Sequence, residues 1–207
     1  MENNWGLNAR QASLKRGFDL FFAISGMAAC WWVILISALL ARLDTGDTGF
    51  FVQSRVGRRG KRFKIIKIRT MSSQTGIDTC VTTSRDCRIT PLGRILRRFK
   101  IDELPQLYNV LVGDMSFVGP RPDVPGFADG LTGEDQLVLS VRPGITGPAT
   151  LYYRDEERLL ARATDPESFN REVIFPHKTC LNKSYVKHWS MATDLGLIMK
   201  TLWKDSR

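Results

Sequence analysis

From Leu20 to Ala41 the chain reads LFFAISGMAACWWVILISALLA, 22 residues without one charge. As a helix this run is about 33 Å long, close to the hydrocarbon thickness of a bilayer. A small soluble domain rarely buries so long an apolar run. A cleaved signal peptide would carry a shorter apolar region and a small-residue cleavage site. Here Arg42-Leu43-Asp44 follow directly, so the segment reads as a retained membrane helix. Its flanks constrain it further. Arg10, Lys15 and Arg16 precede it, and eight basic residues with no acid lie between Arg55 and Arg69. Both groups favour the cytoplasmic side. That is met by a re-entrant hairpin, or by a single span in which the stronger C-terminal charge wins. A hairpin needs a bend, and residues 20–41 contain no proline; Ser25-Gly26 and Ser37 are weaker breakers. Charge and length leave both topologies open.

The rest of the 207 residues suffices for one ordinary domain. Lysine and arginine number 30 against 21 acids, a net charge of +9, which calls for an anionic partner: nucleic acid, anionic lipid or a phosphate-bearing substrate. The two histidines, His177 and His188, do not make a zinc site or a Ser-His triad. Cys30, Cys80, Cys87 and Cys180 form no CxxC pair and read as free thiols.

Local patterns predict the elements. Phe50–Val52 and Phe63–Ile68 have strand composition, with a turn at Gly57-Arg58-Arg59-Gly60 between them. Residues 72–88 read as a polar loop. Thr90-Pro91 is a helix start, and Leu92, Ile95, Leu96 and Phe99 then share one face between flanking arginines. Such a basic amphipathic helix suits an anionic membrane surface or a protein core equally. A last amphipathic helix runs from Met191 to Leu202, with Trp189 and Trp203 near its ends, placed for an interface or for a core. Gly119-Pro120-Arg121-Pro122 and Arg142-Pro143-Gly144 are stiff turns, each displaying an arginine.

Asp102-Glu103 is the candidate for chemistry. Pro105 places a helix start just beyond it. Acids there commonly serve as caps. This pair, however, lies among Arg85, Arg88, Arg94, Arg97, Arg98, Lys100, Arg121 and Arg142. A carboxylate can attack phosphorus, and surrounding cations stabilise the anionic transition state.

Four motifs stand in register behind the membrane segment: RxG at 55–57, FKIIKIRTM at 63–71, DELPQLYNVLVGDMSFVGPRP at 102–122 and VRPGITG at 141–147. From about residue 14 onward the chain resembles the bacterial sugar transferases, the small monotopic phosphoglycosyl transferases. The resemblance implies transfer of a sugar phosphate from a UDP-sugar to undecaprenyl phosphate or a similar polyprenol phosphate, with release of UMP. It implies Asp102 as nucleophile, Glu103 as base or metal contact, and Mg²⁺ held at Asp102 and Glu103. Lys64, Lys67, Arg69, Arg88, Arg121 and Arg142 fall at or near basic positions of the motifs and are the implied phosphate-binding residues.

The implied fold class is α+β and mainly helical. A tail and re-entrant membrane helix fill residues 1–45. One compact cytoplasmic catalytic domain with interfacial amphipathic helices and a small β element fills 46–207. The implied setting is the cytoplasmic face of the bacterial inner membrane, with membrane lipid as a partner, no nucleic acid, and room for a homodimer. Two departures stand out. Trp31-Trp32 occupy the place of the family's Ser-Pro break, and Pro148-Ala149 replace its Trp-Ala after PGITG. The segment that follows, LYYRDEE, is placed to shape a sugar pocket. A basic membrane-anchored adaptor for anionic lipid is the alternative from another class, and it would not require the acid pair. A nucleic-acid-binding protein fits the charge but not the membrane segment.

Overall fold

The computed structural model describes residues 6–73 and 86–205. Most of the polar loop expected at 72–88, with Cys80 and Arg85, lies outside the described residues. The first element is helix α1, Ala9–Thr45. Asn8 opens it with a reciprocal cap: its side chain accepts from Gln11 N at 2.9 Å, and its backbone N–H donates to the Gln11 side chain at 3.0 Å. Gly46, in the left-handed region, closes it.

The bend that a hairpin needs is not there. With no proline, and with the Trp32 indole N–H donating to the Ala29 carbonyl on the helix surface, α1 stays one helix of 37 residues. It nevertheless packs on the rest of the protein along its length. Lys15 and Asp19 are buried near its start. Ala23 packs with Ile65, Val110 and Met115. Ile34, Ala38 and Ala41 pack with Ile68 and Leu96. The opposite face exposes Phe21, Ile24, Trp31, Trp32, Leu35, Ile36 and Leu39. The helix is long and apolar enough to cross a bilayer, but its two ends touch the same body.

Strands β1 (Phe50–Val56) and β2 (Arg62–Ile68) form the expected antiparallel hairpin around the Gly57–Gly60 turn. Helix α2, Pro91–Arg98, begins as the sequence predicts, with the Thr90 hydroxyl accepting from Gly93 N at 2.9 Å. Its apolar face divides: Leu96 is buried, while Ile95 and Phe99 are exposed. A one-turn 3₁₀ helix at Ile101–Glu103 leads into α3, Gln106–Val112.

Strands β3 (Ser116–Val118) and β4 (Gly144–Thr146) then pair in parallel. Two motifs far apart in sequence thereby become one unit. Gly119 N donates to Thr146 O, and Gly144 N to Pro120 O. A Cβ on Gly144 would sit 2.1 Å from Gly119 N, so only glycine permits this approach.

Short helices α4 (Pro148–Tyr152), α5 (Glu156–Leu160) and α6 (Pro166–Phe169) follow, then α7 (Phe175–Lys187) and α8 (Met191–Asp205). Among the described residues the architecture is mainly helical with two small sheets. Trp189 belongs to a core with Val118, Val141 and Tyr185, whereas Trp203 is exposed. A buried polar network ties the start of α1 to this core. Asp194 pairs with Lys15 and accepts from Tyr185 Oη at 2.7 Å and Trp189 Nε1 at 3.2 Å.

Candidate active site

The site begins with how α2 is seated. A Cβ on Gly93 would lie 2.1 Å from the Thr70 carbonyl, so α2 rests directly on the chain leaving β2. At its end Lys100 takes φ +56°, a value uncommon for a side-chain-bearing residue. The chain turns there and drives Asp102 and Glu103 inward, to 8% and 9% exposure.

They line a cavity of about 630 Å³ between α2, the hairpin, the segment after β3, and helices α4, α5 and α7. The two acids have different surroundings. Glu103 Oε1 accepts from Arg121 Nη2 at 2.6 Å and lies 3.5 Å from Lys67 Nζ. Burial works to raise the Glu103 pKa, but Arg121, Lys67 and Lys100 overcome it and hold the carboxyl well below the usual range. Asp102 Oδ1 is buried without a hydrogen-bond partner. Burial, then the neighbouring Glu103 charge, pushes the Asp102 pKa up against Lys67, Lys100 and Arg97. Two adjacent carboxyls are thus driven in opposite directions: Glu103, held by Arg121, is the more acidic, and Asp102, with one oxygen lacking a hydrogen-bond partner, the more basic. Burial also brings Lys67 down to about 8 against the pull of Glu103.

Of the six basic residues implied for phosphate binding, the fold brings two, Lys67 and Arg121, to the acid pair. Prolines flank Arg121 on both sides, and its partner is Glu103. Lys64 is exposed on the opposite face of β2, because residues three apart on a strand point to opposite sides. Arg69 is held by Asp47 and Thr48 behind the cavity. Arg88 pairs with Asp86. Arg142 donates to the Gly113 carbonyl beyond α3, beside Arg16, which donates to Val110 O and Leu111 O. These two arginines close a helix end.

The cavity also takes in Arg55 of the RxG motif and Glu156 of the LYYRDEE segment, and it recruits four residues that the motifs did not single out: Asp123, Thr150, Lys178 and Asn182. Asp123, directly after the PRP motif, had a signal in its position. Thr150 and Asn182 had none, because polar residues on short amphipathic helices are usually solvated. Among the described residues no three His, Cys, Asp or Glu side chains gather to cage a metal.

Fold and cavity together define a mainly helical protein with one long apolar helix and a buried carboxylate pair set among cations. Residues 10–206 match the bacterial sugar transferase family, and the chain belongs to that family, as an enzyme of the sugar transferase class. It is similar to the UDP-N-acetylgalactosamine-undecaprenyl-phosphate N-acetylgalactosaminephosphotransferase of Aeromonas hydrophila, 33% identical over 197 residues, 92% of this chain and 43% of that protein. It is similar also to the UDP-glucose:undecaprenyl-phosphate glucose-1-phosphate transferase of Caulobacter vibrioides, 35% identical over 192 residues, 91% of this chain and 68% of that protein. A third relative is the exopolysaccharide production protein PSS of Rhizobium leguminosarum bv. phaseoli, 36% identical over 201 residues, 91% of this chain and 93% of that protein. The chain therefore spans less than half of the Aeromonas relative and nearly all of the Rhizobium one.

Proposed function

We propose that this chain transfers a sugar-1-phosphate from a UDP-sugar to polyprenyl (undecaprenyl) phosphate through a covalent intermediate on Asp102. The observation that carries the reading is the buried, partnerless Asp102 oxygen in a cavity lined by Lys67, Arg97, Lys100 and Arg121. In the first step an Asp102 carboxylate oxygen attacks the sugar-bearing phosphorus of the donor. The bond from that phosphorus to the bridging oxygen breaks, and UMP leaves with the electron pair. In the second step a phosphate oxygen of the polyprenol attacks the same phosphorus. The aspartyl–phosphorus bond breaks, which yields the polyprenyl-diphosphate sugar and restores the carboxylate. Arg121, held by Glu103, presents a planar guanidinium to the equatorial oxygens. A passive lipid-binding adaptor would leave the buried Asp102 oxygen without a role.

Mg²⁺ belongs to this reading. Such ions take one or two carboxylates and complete their shell with substrate phosphates and water. Asp102, with the Glu103 oxygen that Arg121 does not hold, matches that donor set. The ion would supply positive charge to the diphosphate.

The setting we propose is the cytoplasmic face of the bacterial inner membrane, as the first membrane step of surface-glycan or glycoprotein assembly. The apolar face of α1 is sunk in one leaflet and both its ends remain on the cavity side. The contacts of Lys15 at one end and Ala41 at the other with a single body support this arrangement.

Radiolabelled transfer in detergent, with a panel of UDP-sugars, tests the reaction. Label should enter the lipid phase with UMP as co-product, and excess EDTA should reduce the rate by about a hundredfold or more. No lipid-linked label with any donor, or release of UDP instead of UMP, overturns the proposal. Undiminished turnover in EDTA removes the metal.

A further inference from the structure

The cavity extends beyond the acid pair into a region of different chemistry. Helix α4 packs against α7 there. Thr150 Oγ1 on α4 and Asn182 Oδ1 on α7 are both shut off from solvent with no hydrogen-bond partner, although both residues line the cavity. Asn182 is 6% exposed. Leaving a buried polar group unmade costs about 1–3 kcal/mol, and the two lie on helices that pack together at the cavity, so a ligand that turns these side chains into it would satisfy them. Asp123 lines the same cavity, with Lys178, Arg55, Glu156 and Arg121 as its charged neighbours. Nearby, the Lys178 ammonium is neutralised by both Glu156 oxygens at 2.7 Å. This part of the cavity offers acceptors and a paired Lys178–Glu156 charge, with Arg55 and Arg121 acting on Asp123 from beside it. Phe127 and Phe175, in edge contact with centroids 5.3 Å apart, add apolar surface beside it. Hydroxyl-donating edges with apolar C–H faces are the chemistry of a pyranose.

We infer that Asp123, Thr150 and Asn182 form a hydroxyl-binding subsite that seats the hexose of the nucleotide-sugar donor. The inference rests on the transferase reading of the same cavity and names the residues that read the sugar. Ribose hydroxyls are the other source of this chemistry, and the test separates the two.

Donor binding is measured by calorimetry in an Asp102→Asn background, which prevents turnover. The ligands are UDP-N-acetylglucosamine, UDP-N-acetylgalactosamine, UDP-glucose, UDP-galactose and UDP. At least one UDP-sugar should bind tighter than UDP. Thr150→Val and Asn182→Ala should each weaken that sugar by about tenfold, the effect of one lost hydrogen bond, and leave UDP unchanged. Thr150→Val preserves shape, so it serves if Asn182→Ala fails to fold. Because the Thr150 hydroxyl is partnerless without donor, Thr150→Val should also raise the melting temperature of the unliganded enzyme. Equal weakening of UDP and UDP-sugar would place ribose in the subsite and overturn the assignment. Unchanged sugar affinity, or no UDP-sugar tighter than UDP, overturns it also. The transfer assay, run with Asp102 intact, is independent. Transfer without sugar-dependent binding leaves the reaction standing and removes the subsite. Sugar-dependent binding that Thr150→Val weakens, without transfer, does the reverse.

Discussion

The two ends of the cavity are built by opposite rules. At the acid-pair end, Lys67, Arg97, Lys100 and Arg121 outnumber Asp102 and Glu103, and the carboxylate that anchors Arg121 is itself held ionised. Around α4 and α7, Lys178 is consumed by Glu156, Asp123 stands beside Lys178, Arg55 and Arg121, and two polar atoms have no partner. A surplus of cations suits what every nucleotide-sugar has in common, its diphosphate. Unsatisfied neutral groups suit what differs between donors. The inferred subsite assigns charge and hydrogen bonding to different residues of one cavity, and each set should fail in its own way.

The largest failure belongs to the acid-pair end. Asp102→Asn keeps shape and removes the attacking charge. Transfer should fall by about a thousandfold or more, with loss of any trapped phosphosugar adduct when the radiolabelled protein is resolved by gel. Turnover close to wild type would erase the distinction between Asp102 and Glu103.

A smaller effect sharpens the charge side. Arg121→Lys keeps one positive charge near Glu103 but loses the planar fork. The specificity constant should drop by about tenfold, equivalent to ~1.4 kcal/mol, for every donor alike. A drop that depends on the sugar would show that the two ends are not independent.

The smallest effect concerns stability at the far end. Burial pushes the Asp123 pKa up to about 6, against the pull of Lys178 and Arg55. A carboxyl with a raised folded-state pKa binds its proton more tightly when folded. Its contribution to stability is therefore complete below the ordinary value near 3.8 and is lost as pH rises through about 6. Asp123→Asn, which cannot ionise, should raise the melting temperature at pH 7 by a few degrees relative to wild type. The gain should shrink toward pH 4. Equal gains at both pH values would mean that Asp123 ionises freely in the cavity.

Much of this was legible in the chain because it is local. The Thr90 cap with Pro91, the β1–β2 hairpin around Gly57–Gly60, and the helix from Met191 follow from contacts among residues a few positions apart. The acid pair was legible for another reason: its motif is long and stands in register with three others. The basic residues were less legible, since a motif carries residue types and not directions. Lys64 and Lys67 look equivalent in FKIIKIRTM, yet strand alternation gives only Lys67 to the cavity. Arg121 and Arg142 look equivalent beside their prolines, yet one meets Glu103 and the other closes α3. Thr150 and Asn182 carried no signal at all.

By itself the sequence determined the apolar helix, the small hairpin, the family and the candidate acid pair. Each is written in composition, in short-range pattern or in a run of residues long enough to be specific. Only the tertiary structure decided that α1 remains unbroken and that its two ends meet one body. It alone decided that Glu103 is spent on Arg121 while Asp102 is left open, and that α4 and α7 close a second chemistry onto the same cavity. Those outcomes depend on which distant surfaces exclude water together. No local pattern encodes that choice, because a buried polar atom and a solvated one are the same letter until the fold has packed around them.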